Sequence, residues 1–289
     1  MEIAVAHYNS LVATPGTTGG NKAGVATLEA FPSPAAMQAV AAAVGFSETA
    51  FVVAVRPGVV AVRFFTPEGE VDLCGHATVA AFSSMPPGAY TMETSTQGAL
   101  NVSVDADGRV YMAQVPPIFR PVPDVAAVID ALGLDAAAID ATVPMTIVST
   151  GLPDIFVPIV SADALHAMRP DMAKIATLST AWDTIGLHAF TLAPSEAEAT
   201  AECRNFAPRF GIDEEAATGT SSGALGALLV HHGRATSPMV FSQGRGMGLP
   251  SRIGCHIATQ PNGTISEVQI NGVADMCGGQ VVAVSDTAT

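Results

Sequence analysis

Glu48, His76 and the pair Glu214-Glu215 are the ionisable residues whose neighbours give them chemistry to do. Glu48 lies in Gly45-Phe46-Ser47-Glu48-Thr49-Ala50-Phe51, between a helix stop and an apolar strand. A carboxylate among Phe46, Ala50, Phe51 and Val52 is partly desolvated, which raises its pKa and suits it to moving protons near neutral pH. The same position also reads as an exposed loop glutamate with no role. His76 follows Cys74-Gly75 and stands one residue into an apolar helix. There it either donates a proton or hydrogen bond into a pocket or is a core histidine satisfied by a backbone carbonyl. Glu214 and Glu215 precede Thr218-Gly219-Thr220, close to a positive helix end that stabilises a carboxylate even without chemistry. At least one of them is expected to be only a surface or capping charge. Cys74 sits beside a helix N-terminus, a position that lowers a thiol pKa and can make a base of it.

The elements that must position these residues occur twice. Arg63-Phe64-Phe65-Thr66-Pro67 leads into Cys74-Gly75-His76 and an apolar helix; Arg204-Asn205-Phe206-Ala207-Pro208 leads into Thr218-Gly219-Thr220 and another. This echo predicts two related halves whose equivalent glycine turns can face one another, with two helix N-termini directed at one shared pocket. A glycine turn opening a buried helix leaves backbone N–H groups unpaired, and with the helix dipole these form a site for a carboxylate. The plainer reading is that each glycine only permits a tight strand-to-helix corner. The counterpart of Cys74 in the echo is Thr218, so no pair of opposed thiols can form from these motifs, which argues against a two-cysteine racemase.

Short apolar runs bounded by Gly, Pro and Asp predict strands at 3–6, 51–55, 59–65, 100–104, 110–115, 155–160, 239–241, 253–258, 267–270 and 281–284. A surface helix is predicted after the Ser33 cap and Pro34, with Met37, Val40, Ala41 and Val44 inward and Gly45 as its stop. Others are predicted over 124–132 and 163–168. The segments 76–82 and 222–230 are small and apolar all round, which predicts helices buried on every side and enclosed by curved sheet. The Pro-rich passage Val115–Pro123 suits neither a sheet interior nor a helix, and is read as a linker. The expected halves are 1–116 and 117–277, with the last strand, about 278–289, a candidate to return to the first half.

At 289 residues the chain is long enough for two cores. Only 13% of residues are charged and 49% are hydrophobic, so much apolar surface must be shared between domains or subunits. A net charge of -14 without any Lys/Arg cluster makes nucleic acid and anionic membranes unsuitable partners. No apolar stretch approaches the roughly 18 residues of a spanning helix, and the N-terminus lacks a basic signal region. The four cysteines, without C-x-x-C spacing, fit a reducing cytoplasm. His231-His232 and Cys255-His256 lack partners at metal spacing, no P-loop or dinucleotide fingerprint is present, and the glycine-rich 244–248 reads as a loop.

An ordered set of motifs is similar to the phenazine-biosynthesis isomerase (PhzF-like) family within the diaminopimelate epimerase-like superfamily. It comprises Gly20-Asn21, Ser47-Glu48-Thr49-Ala50-Phe51-Val52, Phe65-Thr66-Pro67, 70–78, Phe206-Ala207-Pro208, Ala217-Thr218-Gly219, Gln243-Gly244 and Met247-Gly248, and it spans nearly the whole chain. The resemblance implies an α+β fold of two pseudo-symmetric halves, each a mostly antiparallel β-sheet rolled around a central α-helix, with the active site in the cleft between. It implies no metal or organic cofactor, a small carboxylated substrate and a homodimer. Residue by residue it assigns proton shuttling to Glu48, substrate orientation to His76 and Glu215, and substrate binding to Asn21, Gly75, Thr218, Gly219 and Thr220. Two positions depart from the pattern: Glu215 stands where the family usually has Asp, and Lys22 where it usually has Pro or Ser, adding a possible positive contact for an acidic substrate. The implied activity is a proton shift like that of trans-2,3-dihydro-3-hydroxyanthranilate isomerase. The alternatives are a racemase or epimerase of the same superfamily and a non-catalytic small-molecule-binding homologue.

Overall fold

The computed structural model describes residues 1–95 and 98–285. In chain order it forms β1 (Glu2–Ser10), β2 (Asn21–Leu28), α1 (Pro34–Val44), β3 (Glu48–Arg56), β4 (Val59–Phe65), β5 (Glu70–Val71), α2 (Gly75–Ser83), β6 (Gly88–Thr94), β7 (Gly98–Val104) and β8 (Val110–Gln114). Then follow β9 (Ile118–Pro121), α3 (Val125–Ala131), β10 (Thr146–Ser149), β11 (Pro153–Ile159), α4 (Ala162–Ala167), α5 (Met172–Trp182), β12 (Leu187–Thr191), β13 (Ala201–Ala207) and β14 (Ile212–Glu215). The last are α6 (Gly219–His231), β15 (Met239–Gln243), β16 (Ser251–Thr259), β17 (Ile265–Gly272) and β18 (Ala274–Ala283). Internal contacts divide the chain into Met1–Ala113 with Asn271–Thr289, and Gln114–Ile270.

In the first unit the strands run β18-β1-β2-β3-β4-β6-β7-β8, antiparallel except for β2–β3 and β4–β6. In the second they run β9-β10-β11-β12-β13-β15-β16, antiparallel except for β11–β12 and β13–β15. Short strands β5 and β14 fold back on β4 and β13. Each unit thus repeats one sequence of parallel and antiparallel pairings, and the echo in the sequence marks the repeat.

The echoed arginines lock these corners. Arg63 donates from Nε and Nη2 to Glu70 at 2.7 and 2.5 Å, and Arg204 donates likewise to Glu214 at 2.8 and 2.8 Å. Each guanidinium also lies over the phenylalanine two residues on, at 5.4 Å from Phe65 and 5.0 Å from Phe206. Two parallel N–H···O bonds fix orientation as well as distance. Glu214 is therefore the structural member of the acidic pair.

Residues Gly75–Phe82 of α2 and Gly219–Leu229 of α6 are buried without a break. α2 packs on β1, β2, β3 and β18; α6 packs on β10, β11 and β16. The small side chains permit this enclosure: a Cβ on Gly226 would stand 2.3 Å from Cys255 Sγ. Around α6 the core includes Phe156, Phe190, Phe241, Leu225 and Leu228. A second core, with Ile155, Val157 and Phe206, lies under α3, α4 and α5. On the outer face of the first sheet, α1 buries Met37, Val40 and Ala41 against Ile3, Val5 and Phe51.

Helix ends follow the caps. Ser33 Oγ accepts from Ala36 N at 3.3 Å, and Gly45 closes α1 with φ 70°. Asp124 caps α3, and Ser161 caps α4, which begins at Ala162, one residue before the predicted start. The helix α5, not predicted from the sequence, buries Ile175 and Ser179 and packs Met172, Leu178 and Trp182 against the same core. The passage read as a linker contains β9, an edge strand along β10, where the missing N–H of Pro121 is tolerated. The final strand ends at Ala283; of the expected 278–289, residues 286–289 lie outside the described residues. Among the described residues no helix is long and apolar enough to cross a membrane.

Candidate active site

In the first unit, β3 opens with Glu48, and the register of the parallel pair sets it beside Ala23 of β2. Strand alternation therefore turns Glu48, Ala23 and Asn21 to the same face, the face covered by α2. His76, in the first turn of α2, meets them there. Its Nε2 is 3.2 Å from Glu48 Oε2 and 3.3 Å from Ser47 Oγ, and its Nδ1 is 3.3 Å from Cys74 Sγ and 3.4 Å from Asn21 Nδ2. The histidine backbone is held as well, since Ser10 Oγ donates to His76 O at 2.6 Å. Glu48 and His76 are 8% and 2% exposed. The structure thus brings Glu48, His76, Asn21 and Gly75 together. Sequence reasoning missed Ser47 and Ser10, one adjacent to the glutamate and the other distant in sequence.

Glu48 Oε2 and His76 Nε2, 3.2 Å apart, form a buried ion pair. A buried pair of titratable groups that perturb one another is the kind of arrangement that concentrates at functional sites.

The pKa directions revise two expectations. Burial is the largest influence on Glu48 and raises it. The charge and hydrogen bond of His76, with Ser47 and Cys74, together outweigh burial and leave the carboxyl below its ordinary value, not above it. For His76, burial again acts first and downward, but Cys74 and Glu48 hold the imidazole well above its ordinary range. Both directions favour the carboxylate and the imidazolium over the neutral pair. Cys74 moves opposite to expectation: burial, then the Glu48 charge, push its thiol up to about 11. Its sulfur serves as a cap for α2, accepting from Ala77 N at 3.5 Å. A helix end lowers a thiol pKa only where solvent and cations allow the thiolate, and here a carboxylate faces it.

In the second unit, Glu215 ends β14 and Thr218 precedes α6. Thr218 Oγ1 donates to Glu215 Oε2 at 2.7 Å, and no side chain caps the first turn of α6. Gln243 of β15 clamps the turn: its Nε2 donates to Glu215 O at 2.8 Å and Thr218 Oγ1 at 3.0 Å, and its Oε1 accepts from Thr218 N at 3.2 Å. Gln114 Nε2 donates to Gly219 O at 3.1 Å. Glu215, Thr218, Gly219 and Thr220 are therefore grouped in one turn. The residue that braces it, Gln243, had a signal in the Gln243-Gly244 motif but no assigned role.

A family model described as phenazine biosynthesis-like protein matches residues 12–278. The chain belongs to this family. An uncharacterized isomerase of Deinococcus radiodurans is 34% identical, covering 88% of this chain and 87% of that protein. The trans-2,3-dihydro-3-hydroxyanthranilate isomerase of Pseudomonas fluorescens is 30% identical, covering 75% of this chain and 78% of its own length. The crystal structure of the Bacillus anthracis PhzF-family phenazine biosynthesis protein superposes with a TM-score of 0.87 at 25% identity, covering 98% of this chain and all of that one (100%). The chain is an enzyme of the isomerase class, and its α+β fold is that of the PhzF family.

Among PhzF-family positions, Lys22 departs in a second way. It alternates to the face opposite Asn21, and its Nζ lies 5.5 Å from the Phe46 ring. Glu48, Cys74 and His76 do carry donor atoms within 4.8 Å of one another, close enough for a small cation. The sulfur lies 3.3 Å from Nδ1 and 3.9 Å from Nε2 of His76, and the carboxylate 3.2 Å from Nε2.

The pair also predicts a pH dependence of folding. The Glu48 carboxyl titrates below its ordinary 4.5 in the folded state, so its contribution is complete above 4.5 and is lost as pH falls through the lowered value. The His76 imidazole titrates above 6.5, so its contribution is complete below 6.5 and is lost as pH rises through the raised value. Thermal unfolding of the wild type, relative to the Glu48→Gln/His76→Asn double variant, should show its most favourable Tm difference between pH 4.5 and 6.5. A difference that stays flat across pH would contradict the ion pair.

Proposed function

We propose that this PhzF-family chain is a cofactor-independent isomerase shifting a proton between carbons of a small carboxylated substrate. The reaction would resemble that named for the Pseudomonas fluorescens relative. The observation that carries the reading is the buried pair of Glu48 and His76, Oε2 3.2 Å from Nε2, at the N-terminus of α2. Glu48 takes a proton from a carbon next to an activating group. The C–H electrons enter the adjacent unsaturation, the double bond relocates, and the carboxyl group returns a proton at the new carbanionic position. His76 holds Glu48 ionised at the start and orients the substrate.

Asn21 and Gly75 in the first unit are assigned to binding. In the second, Thr218, Gly219 and Thr220 offer backbone and hydroxyl groups suited to a carboxylate, with Glu215 orienting the substrate. Glu215 is one methylene longer than the family's usual Asp, and the Thr218 hydroxyl fixes its carboxylate at 2.7 Å.

The test is incubation with trans-2,3-dihydro-3-hydroxyanthranilate in deuterated water, with and without a chelator. Double-bond relocation with deuterium at the accepting carbon, indifferent to the chelator, is the expected result. Inversion at the carboxylate-bearing carbon would make the enzyme an epimerase, and loss of rate with the chelator would overturn cofactor independence.

A further inference from the structure

The second unit has no acid where the first has Glu48. Phe65 and Phe206 are the matching residues of the echo; Thr49 lies opposite Phe65, and Leu187 opposite Phe206. Glu48, preceding Thr49, therefore corresponds to Gly186, preceding Leu187. The neighbouring strands correspond as well: Gly24 lies opposite Thr49, and Ile155 opposite Leu187. Ala23, one residue earlier and beside Glu48, thus matches Asp154. The carboxylate has moved one strand over.

Asp154 is 4% exposed. Its Oδ1 accepts from Gly186 N at 2.8 Å, and its Oδ2 accepts from Asn205 Nδ2 at 3.3 Å and from Ser221 Oγ in a short contact. Burial pushes this carboxyl up to about 6 against the pull of those three donors. Ser221 lies in the first turn of α6, two residues beyond Gly219. The carbonyls of the same turn are held independently, Gly219 O by Gln114 and Thr220 O by Thr150 Oγ1 at 3.3 Å.

Behind Asp154 the network continues. Asn205 Nδ2 also stands 3.2 Å from His188 Nδ1, and one amide nitrogen has a hydrogen for each contact. His188 is fully buried (0% exposed), its ring packed on Phe156 and its Nε2 without a partner. Accepting at Nδ1, the ring carries its single proton on Nε2. Asn205 in turn pairs across the strands with Glu215.

We propose that Asp154 is a positioning residue: through Ser221 it sets the first turn of α6, and with it the Thr218-Gly219-Thr220 turn, while through Asn205 it fixes the tautomer of His188. Its consequence for turnover rests on the isomerase reading above, but the hydrogen-bond assignment does not. In Asp154→Asn the new N–H₂ faces the Asn205 amide, donor against donor. Asn205 must turn its oxygen toward residue 154, and that oxygen's neighbour His188 gains a donor role only by moving its proton to Nδ1.

The experiment is ¹⁵N NMR of the imidazole of His188, with amide exchange of Ser221 and Ser222, in the full-length wild type, Asp154→Asn, Ser221→Ala and Glu48→Gln. The wild type should show the Nε2–H tautomer. Asp154→Asn should shift His188 toward Nδ1–H and speed first-turn exchange about tenfold. Ser221→Ala should speed exchange without changing the tautomer, and Glu48→Gln should change neither. With trans-2,3-dihydro-3-hydroxyanthranilate, Asp154→Asn should raise KM more than it lowers kcat. An unchanged tautomer with unchanged exchange in Asp154→Asn overturns the proposal, and if that variant does not fold, unchanged exchange in Ser221→Ala does so. A wild type without turnover removes the isomerase reading and leaves the NMR outcomes decisive for Asp154.

Discussion

Glu48→Gln should fold as the wild type does and lose turnover by about a thousandfold, the loss expected when a proton-transferring group is removed. The substitution keeps the shape of the side chain and removes its basicity. Without the carboxylate, His76 loses one of the two neighbours that raise its pKa and reverts toward the neutral imidazole that burial favours. Because His76 can give up its proton, no uncompensated buried charge is left behind, so the Tm should move by only a few degrees. Steady-state rates measured beside a melting curve separate the outcomes. Retained turnover would remove Glu48 from the mechanism, whereas lost turnover accompanied by a collapsed Tm would mark the residue as structural.

The second large effect is on stability. A Cβ on Gly186 would stand 1.9 Å from Phe206 O and 2.9 Å from its carbonyl carbon, both backbone atoms of a neighbouring strand. No rotamer change relieves that overlap; β12 and β13 must separate, and the N–H of Gly186 must leave Asp154. Gly186→Ala should destabilise by about 3 kcal/mol or more, lowering Tm by roughly 10 °C. Gly69→Ala is the control, because nothing lies within 4 Å of its Cβ position. Equal melting temperatures for the two variants would show that the second sheet tolerates separation at this corner.

Gly186 also explains why the two halves diverged in chemistry. At the Glu48 position of the first unit there is room for a side chain to reach α2; at the matching position of the second there is room for none. The acid of that unit comes instead from Asp154, whose three donors leave it no free role as a base.

Much was legible before any coordinates. Local patterns mark the caps Ser33 and Asp124, the stop at Gly45, and the two all-apolar helices, because each depends on residues within one turn of the element they control. The R-x-F-[T/A]-P echo announced the repeated pairing pattern, and its arginines proved to be the locks of both corners. Strands β2, β5, β6, β10, β12, β13 and β14 were not announced; in β12 and β13 polar groups such as His188, Glu202 and Asn205 point inward and break the alternation.

The sequence by itself determined which residues could act, Glu48 and His76 above all, because their neighbours guarantee burial near a helix end. It did not determine their charge states. Apolar neighbours in the sequence predict desolvation, which raises a carboxyl, and a helix N-terminus predicts a lowered thiol. Only folding brings the imidazole of His76 to 3.2 Å from Glu48, which reverses the carboxyl's direction, and only folding buries Cys74 and brings that carboxylate toward it, which reverses the thiol's.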